Sequence, residues 1–273
     1  MTSAPAVLIT GCSTGIGHAT AARLAASGRW QVWATARNPE TLAGLAEAGA
    51  ITRRLDTTDE ASMTAVAEEI GEVHALVNNA GYGEYGPVEE LPADSLRRCF
   101  ETNVVGPTRL CQLVLPGMRA RGEGRIVFVG SIGGMFTMPA AAGYHLTKYA
   151  LESLADGLRF EVAPFGVHVS LIQPGLVRTE FGDTAVAAMK RNCDMDGPYA
   201  DLTGGVAALF GAVFRNPELG VSADDVAERI EAALLAGEPP TREVVADDRT
   251  LLDLRSSLDD RGFDAVLRQM QQG

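Results

Sequence analysis

Positive charge is scarce in this 273-residue chain: 23 Lys and Arg stand against 35 Asp and Glu, a net charge of −12 with histidine neutral. Nucleic acid and anionic membrane both require a basic footprint, so neither is expected as a partner. An anionic ligand has to be held locally, by backbone N–H groups or a few placed cations. Long apolar runs are missing too. No stretch approaches the ~18 uninterrupted apolar residues of a membrane span. The opening MTSAPAVLITG has neither a charged leader nor an extended apolar segment, so no signal peptide is expected. Cys12, Cys99, Cys111 and Cys193 are scattered without metal-ligand spacing and read as reduced thiols of a cytoplasmic protein. His18, His74, His145 and His168 are equally dispersed, and no metal site is expected. With 46% apolar and 21% charged residues the composition excludes a disordered chain.

What the chain has instead is a steady alternation. Apolar runs at 6–10 (AVLIT), 31–36 (QVWATA), 74–79 (HALVNN), 125–130 (RIVFVG) and 167–173 (VHVSLIQ), with a shorter ITRRL at 51–55, read as strands. They are rich in Val, Ile and Leu with little strict polar alternation, the pattern of a sheet covered on both faces. Alanine- and leucine-rich stretches such as 17–27 and 60–71 lie between them as helices. The alternation predicts an α/β fold, a doubly wound parallel sheet with helices on both faces and right-handed crossovers. No repeat or linker divides the chain, so residues 1–273 are expected to form one domain. Residues 178–220 break the rhythm and read as a substrate lid inserted after the sixth strand, because long excursions there are often functional. SADD at 222–225 predicts an N-cap for a helix through Leu235. Leu251, Leu254, Leu258, Val266, Leu267 and Met270 predict one packed terminal helix within 250–273.

The first strand runs into TGCSTGIG (10–17), with Gly11, Gly15 and Gly17 between it and an alanine-rich helix. Glycines there let the backbone turn tightly and a pyrophosphate approach, while the helix N-terminus offers unpaired N–H groups. A plain glycine-rich turn is the alternative, but its place in the first βα unit favours a nucleotide. The second strand ends in Ala36 rather than the carboxylate that pairs with a ribose 2′-OH, and Arg37 follows. A guanidinium grips a 2′-phosphate bidentately, so NADP(H) is expected over NAD(H), unless Arg37 is merely a solvated residue after the strand. Ser13 can donate one further hydrogen bond.

The T-G-x-x-x-G-x-G spacing, with NNAG at 78–81, resembles the short-chain dehydrogenase/reductase family, whose domain is Rossmann-type. The resemblance implies that Ile16 joins the glycines at the cofactor, that Asn79, Ala80 and Gly81 line its pocket, and that Asp56 and Thr57 contact the adenine. PGLVRTEF (174–181) resembles the family's loop over the nicotinamide and implies contacts from Pro174, Gly175, Val177 and Thr179. Ser131, at the end of the fifth strand, Tyr144 and Lys148 in GYHLTKYAL (143–151), and Asn103 in ETNVVG match the family's catalytic tetrad. By this resemblance Tyr144 is the general acid/base, Ser131 bonds the reacting oxygen, Lys148 holds the nicotinamide ribose and Asn103 anchors a water. Tyr144 and Lys148 stand at i and i+4 on one helix side. A cation about 4 Å from the phenol contributes roughly 4 kcal/mol at an effective dielectric of ~20, enough to bring its pKa from ~10 to ~7. His145 points about 100° away and reads as packed or lid-facing, and Tyr149 as core or interface.

Tyr82, Tyr85, Met135, Phe136, Met138, Phe181 and Met189 are candidate walls for a small hydrophobic ketone or secondary alcohol, although such residues are as often core. Further details resemble the branch holding 17β-hydroxysteroid and retinol dehydrogenases. A non-catalytic NADP(H)-binding redox sensor and an NAD-linked alcohol dehydrogenase are the alternatives, and a nucleotide-sugar epimerase is a more distant one. The resemblance implies a homodimer or homotetramer associating through the helices at 103–115 and 144–162. Light scattering at micromolar concentration should accordingly give two or four times the chain mass, and a monomer would defeat the expectation.

Overall fold

Each apolar run read from the sequence becomes a strand, within a residue or so at either end. The computed structural model describes residues 4–216 and 218–272. Its strands are β1 (Ala6–Ile9), β2 (Gln31–Ala36), β3 (Ile51–Arg54), β4 (Val73–Asn78), β5 (Gly124–Val129), β6 (Val167–Pro174) and β7 (Arg242–Val245). They form one parallel sheet in the order β3-β2-β1-β4-β5-β6-β7. The order reverses between β1 and β4, which opens a crevice at their carboxyl ends. The sheet thus has the doubly wound, Rossmann-type form expected.

Each strand feeds both faces. Val7 and Ile9 of β1, with Val127 and Val129 of β5, enter one core, while Leu8, Ile126 and Phe128 enter the other. Successive side chains point to opposite faces, so a strand buried on both must be apolar at every position. The first core is closed by α1 (Gly15–Ser27), α2 (Ala43–Glu47) and, later in the chain, the helix Ala223–Leu235. The second is closed by α3 (Glu60–Ile70) and by two helices that follow α4 (Ala93–Phe100): α5 (Gly106–Arg121) and α6 (Ala142–Val162). Between α4 and α5 the chain makes a π-helical turn, Glu101–Val105, which contains Asn103.

The stretch 178–220 folds as α7 (Phe181–Asn192) and α8 (Ala200–Arg215). Its ends are tied by a parallel bridge between Val177 and Val221, with the N–H of Arg178 donating to the Val221 carbonyl at 3.0 Å. The helix Ala223–Leu235, α9, starts at the Ser222 N-cap with the predicted capping box to Asp225. Two parts of the C-terminal region differ from the sequence reading. The strand β7 was not anticipated, because Arg242 and Glu243 open it and an edge strand of four residues carries little apolar signal. Arg242 turns its charge to good use against α6, donating to Glu152 at 2.8 Å and Asp156 at 2.6 Å. The tail is two helices, α10 (Thr250–Ser257) and α11 (Asp260–Gln272), where one was expected. Leu258 is extended, and the Asp259 carboxylate accepts from the Gly262 N–H at 2.8 Å, restarting the helix there. Both pieces pack on Phe136 through Leu252, Phe263 and Leu267. Among the described residues no helix is long and apolar enough to cross a membrane.

Phe128 is fully buried whereas Phe160 is 76% exposed. Urea unfolding should therefore show Phe128→Ala to be destabilised by about 3–5 kcal/mol, and Phe160→Ala by no more than about 0.5 kcal/mol.

Candidate active site

A cavity of about 1070 Å³ opens along the carboxyl ends of β1, β4, β5 and β6. Nearly all residues singled out from the sequence line it: Gly11, Ser13, Gly15, Ile16, Arg37, Asp56, Thr57, Asn79, Ala80 and Gly81 at one end, and Ser131, Tyr144, Lys148, Pro174, Gly175, Val177 and Thr179 at the other. Gly17 and Asn103 do not, and lie behind its wall.

The loop after β1 is shaped by contact with the end of β4. Asn79 Nδ2 donates to the carbonyls of Thr10 (2.9 Å) and Gly11 (3.0 Å), and the N–H groups of Asn79 and Ala80 both donate to Thr10 Oγ1 at 3.0 Å. A Cβ at Gly17 would overlap the Gly11 carbonyl and the Asn79 amide, which is why this position admits only hydrogen. Gly15, with φ of 59°, takes a left-handed conformation. Thr14 gives α1 no side-chain cap, and the first turn holds no acidic residue. The free N–H groups of that turn are thus left beside the cavity, with the positive end of the helix dipole.

Arg37 is exposed and makes no hydrogen bond or ion pair among the described residues. The sequence placed no carboxylate near it, but the fold brings Asp56 into its field. Burial pushes the Asp56 carboxyl up, but hydrogen bonds from the Thr58 N–H and hydroxyl, with the charges of Arg37 and Arg54, hold it below the usual value.

At the other end Ser131 caps a 3-10 turn, its Oγ accepting from the Gly133 N–H at 3.0 Å. Tyr144 sits in the first turn of α6 and is buried. Burial pushes its phenol well above 10, while the nearby Ser131 side chain pulls the other way. The Lys148 ammonium donates to the Val129 carbonyl at 2.8 Å and stands 5.6 Å from the centre of the Tyr144 ring. Burial pushes the ammonium from 10.5 down to about 8. This departs from the sequence arithmetic, which brought the phenol to ~7. Desolvation disfavours the charged form of both groups, and the ammonium is hydrogen-bonded to Val129, so that it acts on the phenol only through its charge.

Asn103 is 1% exposed and fully engaged: Oδ1 accepts from the Tyr82 N–H at 3.1 Å, while Nδ2 donates to the Tyr82 carbonyl at 2.8 Å and Thr147 Oγ1 at 2.9 Å. Thr147 Oγ1 in turn donates to the Tyr144 carbonyl at 2.7 Å. Asn103 therefore ties the loop after β4 to the helix that carries Tyr144 and Lys148. A π turn re-aims one side chain within an otherwise helical run, as such turns do at functional sites.

Aromatic rings enclose the space beside Tyr144. Tyr85 lies 5.6 Å and Phe181 5.3 Å from its ring, Phe210 lies 5.3 Å from Tyr85, and Phe214 lies 6.4 Å from Phe181. Phe136 and Met138 line the cavity as expected, together with Tyr82. Met135 points to solvent and Met189 is buried in the cluster behind, so neither reaches it. Phe210 and Phe214 of α8 and Leu251 and Leu252 of α10 were missed. The four-residue spacing of the two phenylalanines was the available signal, masked by treating 178–220 as irregular. His145 packs edge-on against Phe136, and burial pushes its pKa down to about 4. It is the packed histidine expected, while Tyr149 is exposed rather than core.

The model of one family, "short chain dehydrogenase", matches residues 5–190. Human 17-beta-hydroxysteroid dehydrogenase type 1 is 37% identical over 272 residues, covering 93% of this chain and 81% of that protein. A short-chain dehydrogenase from Streptomyces avermitilis superposes with a TM-score of 0.79 at 32% identity, over 98% of this chain and 99% of that one. A short chain dehydrogenase/reductase from Burkholderia phymatum, solved in complex with NAD, gives 0.78 at 26% identity, over 93% and 92%.

The depressed Lys148 pKa has a measurable consequence. Below about 8 the folded protein carries the full cost of burying this ammonium, and between about 8 and 10.5 the unfolded chain binds more protons, so stability rises with pH in that window. Denaturant unfolding should show wild type gaining up to about 3 kcal/mol relative to Lys148→Met between pH 8 and 10.5. A difference independent of pH would contradict this.

Proposed function

The chain belongs to the short-chain dehydrogenase family, and from that premise we propose that it is an NADP(H)-dependent oxidoreductase interconverting a hydrophobic ketone and its secondary alcohol. The single observation that carries the reading is the cavity itself. It joins an uncapped helix N-terminus and glycine loop at one end to Ser131, Tyr144 and Lys148 at the other.

The residues present fit a dinucleotide. Gly11 and Gly15 line the cavity without a side chain and Gly17 lets α1 pack against the Gly11 carbonyl, so a pyrophosphate would be held by backbone donors despite the net charge of −12. Arg37 is free to take a 2′-phosphate, and Ser13 lines the same end. The Asp56 oxygen Oδ1 accepts from the Thr58 N–H and hydroxyl, which keeps this carboxylate ionised and directed at Thr58 rather than paired with Arg37. Thr179, whose methyl would lie 3.3 Å from a Cβ on Gly15, brings the segment after β6 against the glycine loop, where its hydroxyl and the Pro174–Gly175 backbone would help hold the cofactor.

When bound, the nicotinamide supplies or accepts the hydride. Tyr144 gives its phenolic proton to the carbonyl oxygen in reduction and takes it back in oxidation. Its high pKa suits it to remain protonated until negative charge develops on that oxygen. Ser131, which lines the cavity beside Tyr144 and lowers its pKa, places its hydroxyl to share the same charge. Lys148, fixed by Val129, has its ammonium 5.6 Å from the Tyr144 ring centre and stabilises the tyrosinate as the proton leaves. Asn103 and Thr147 hold the first turn of α6 in place while this occurs. The ring-lined space formed by Tyr85, Phe181, Phe210 and Phe214 excludes water and suits an apolar substrate. We read α7 and α8 as the lid over that space, within one domain. Exposed Val105, Leu146 and Tyr149 support association into a homodimer or homotetramer, and the free thiols suit the cytoplasm.

Fluorescence titration should show NADPH binding at least about tenfold more tightly than NADH, since a charge-assisted hydrogen bond contributes ~1.5–3 kcal/mol. Arg37→Ala should erase that preference. Equal binding of the two cofactors by wild type would overturn the NADP(H) assignment and favour an NAD-linked alcohol dehydrogenase. In assays of NADPH consumption with a panel of hydrophobic ketones, Tyr144→Phe should lower kcat by about 10²–10⁴-fold while still binding cofactor. Failure of wild type to turn over any ketone or alcohol would leave a cofactor-binding sensor as the better reading.

A further inference from the structure

Among the described residues Glu84 is the fully buried carboxylate, 2% exposed, and the reaction makes no use of it. A carboxylate in that position must be matched by donors, because a buried unpaired charge is strongly unfavourable. Both of its donors come from the last turn of α7: Glu84 Oε2 accepts from the Arg191 guanidinium at 2.8 Å and from Asn192 Nδ2 at 2.7 Å. Asn192 Nδ2 also donates to the Tyr85 carbonyl at 3.1 Å. The Tyr85 ring is thereby seated against Tyr144 and between Phe181 and Phe210.

The catalytic helix meets the same point from the other side. A Cβ on Gly143, the residue before Tyr144, would come within 2.9 Å of the Glu84 carbonyl oxygen and 2.6 Å of Leu91. Three segments therefore converge on Glu84 and Tyr85: the loop after β4, the first turn of α6 and the end of α7. The two sides of the ion pair are unequal. Arg191 is 55% exposed and already partly hydrated, whereas Glu84, at 2%, relies on the donors of α7 in the docked state. A second tie, from the Tyr199 hydroxyl to Glu89 at 2.6 Å, is exposed and correspondingly weak.

We propose that Glu84 is a positioning residue: by binding Arg191 and Asn192 it docks α7 over the cavity and seats Tyr85 on the catalytic tyrosine in the docked state alone. The proposal rests on the reading of α7–α8 as a lid over a ketone site, and goes beyond it in naming the charge that closes the lid.

The test uses the full chain with Glu84→Gln, Arg191→Met and the double variant. Hydrogen exchange of the α7 amides needs no substrate and should accelerate by about tenfold or more in each single variant, as local opening becomes easier. For a ketone that wild type reduces, KM should rise about tenfold with the Kd for NADPH unchanged, and the double variant should be no worse than Glu84→Gln within about twofold. Unaltered α7 exchange, or additive losses in the double variant, would overturn the proposal. If Glu84→Gln does not fold, Arg191→Met, altered at an exposed head group, carries the same exchange and KM readouts. Accelerated exchange in a protein that reduces no ketone would support the docking role and sink the assigned reaction, so the two failures are distinguishable.

Discussion

The site depends on the hydrogen bonds that Asn79 and Thr10 make across the ends of β1 and β4. These strands are adjacent at the point where the sheet reverses its winding direction, and their loops diverge to opposite faces. Without a tie, each loop would be free to move. The Asn79 amide fixes the Thr10 and Gly11 carbonyls, and Thr10 Oγ1 receives the N–H groups of Asn79 and Ala80. Each bond contributes only about 1 kcal/mol net, but leaving any of these buried groups unpaired would cost more. Gly17 is then the one residue type that fits against the closed junction, and α1 starts where its free N–H groups border the cavity.

Charge in this protein is handled locally. The chain is strongly acidic, yet Lys148 and Glu84 are buried and individually fixed, while Arg37 stands exposed. Lys148 is held by a backbone carbonyl, and Glu84 by an arginine and an asparagine from a different segment. Burial sharpens each of these interactions, because a low local dielectric strengthens a made contact and penalises a lost one. The same burial displaces the ionisation of Tyr144 and Lys148 in opposite directions, the phenol upward and the ammonium downward. Both shifts disfavour the charged form, yet with a pKa of about 8 Lys148 is still mainly an ammonium at neutral pH, beside a phenol that keeps its proton.

Legibility in the sequence followed burial and periodicity. The central strands stand out because two-sided burial demands an apolar residue at each position, as in Val7, Leu8 and Ile9. The glycine loop and NNAG stand out because close backbone approach restricts residue type. The edge strand β7 and the break at Leu258–Asp259 were hidden, since each depends on contacts with distant residues: Arg242 with Glu152, and Phe263 with Phe136. Asn103 was found by its motif, but its position behind the cavity wall was not.

The amino-acid order alone determined the alternating α/β elements, the parallel sheet and the nucleotide-type loop, each written in short-range pattern where spacing along the chain sets the local geometry. Ser131, Tyr144, Lys148 and Asn103 were singled out by resemblance to a family rather than by spacing. Tertiary structure decided which of those side chains face the cavity, how burial sets their ionisation, and which rings from α8 and α10 complete the walls. It also paired Glu84 with Arg191 and brought Asp56 within the field of Arg37. Such pairings join residues far apart in the chain, so their energies exist only once the fold has removed the intervening water.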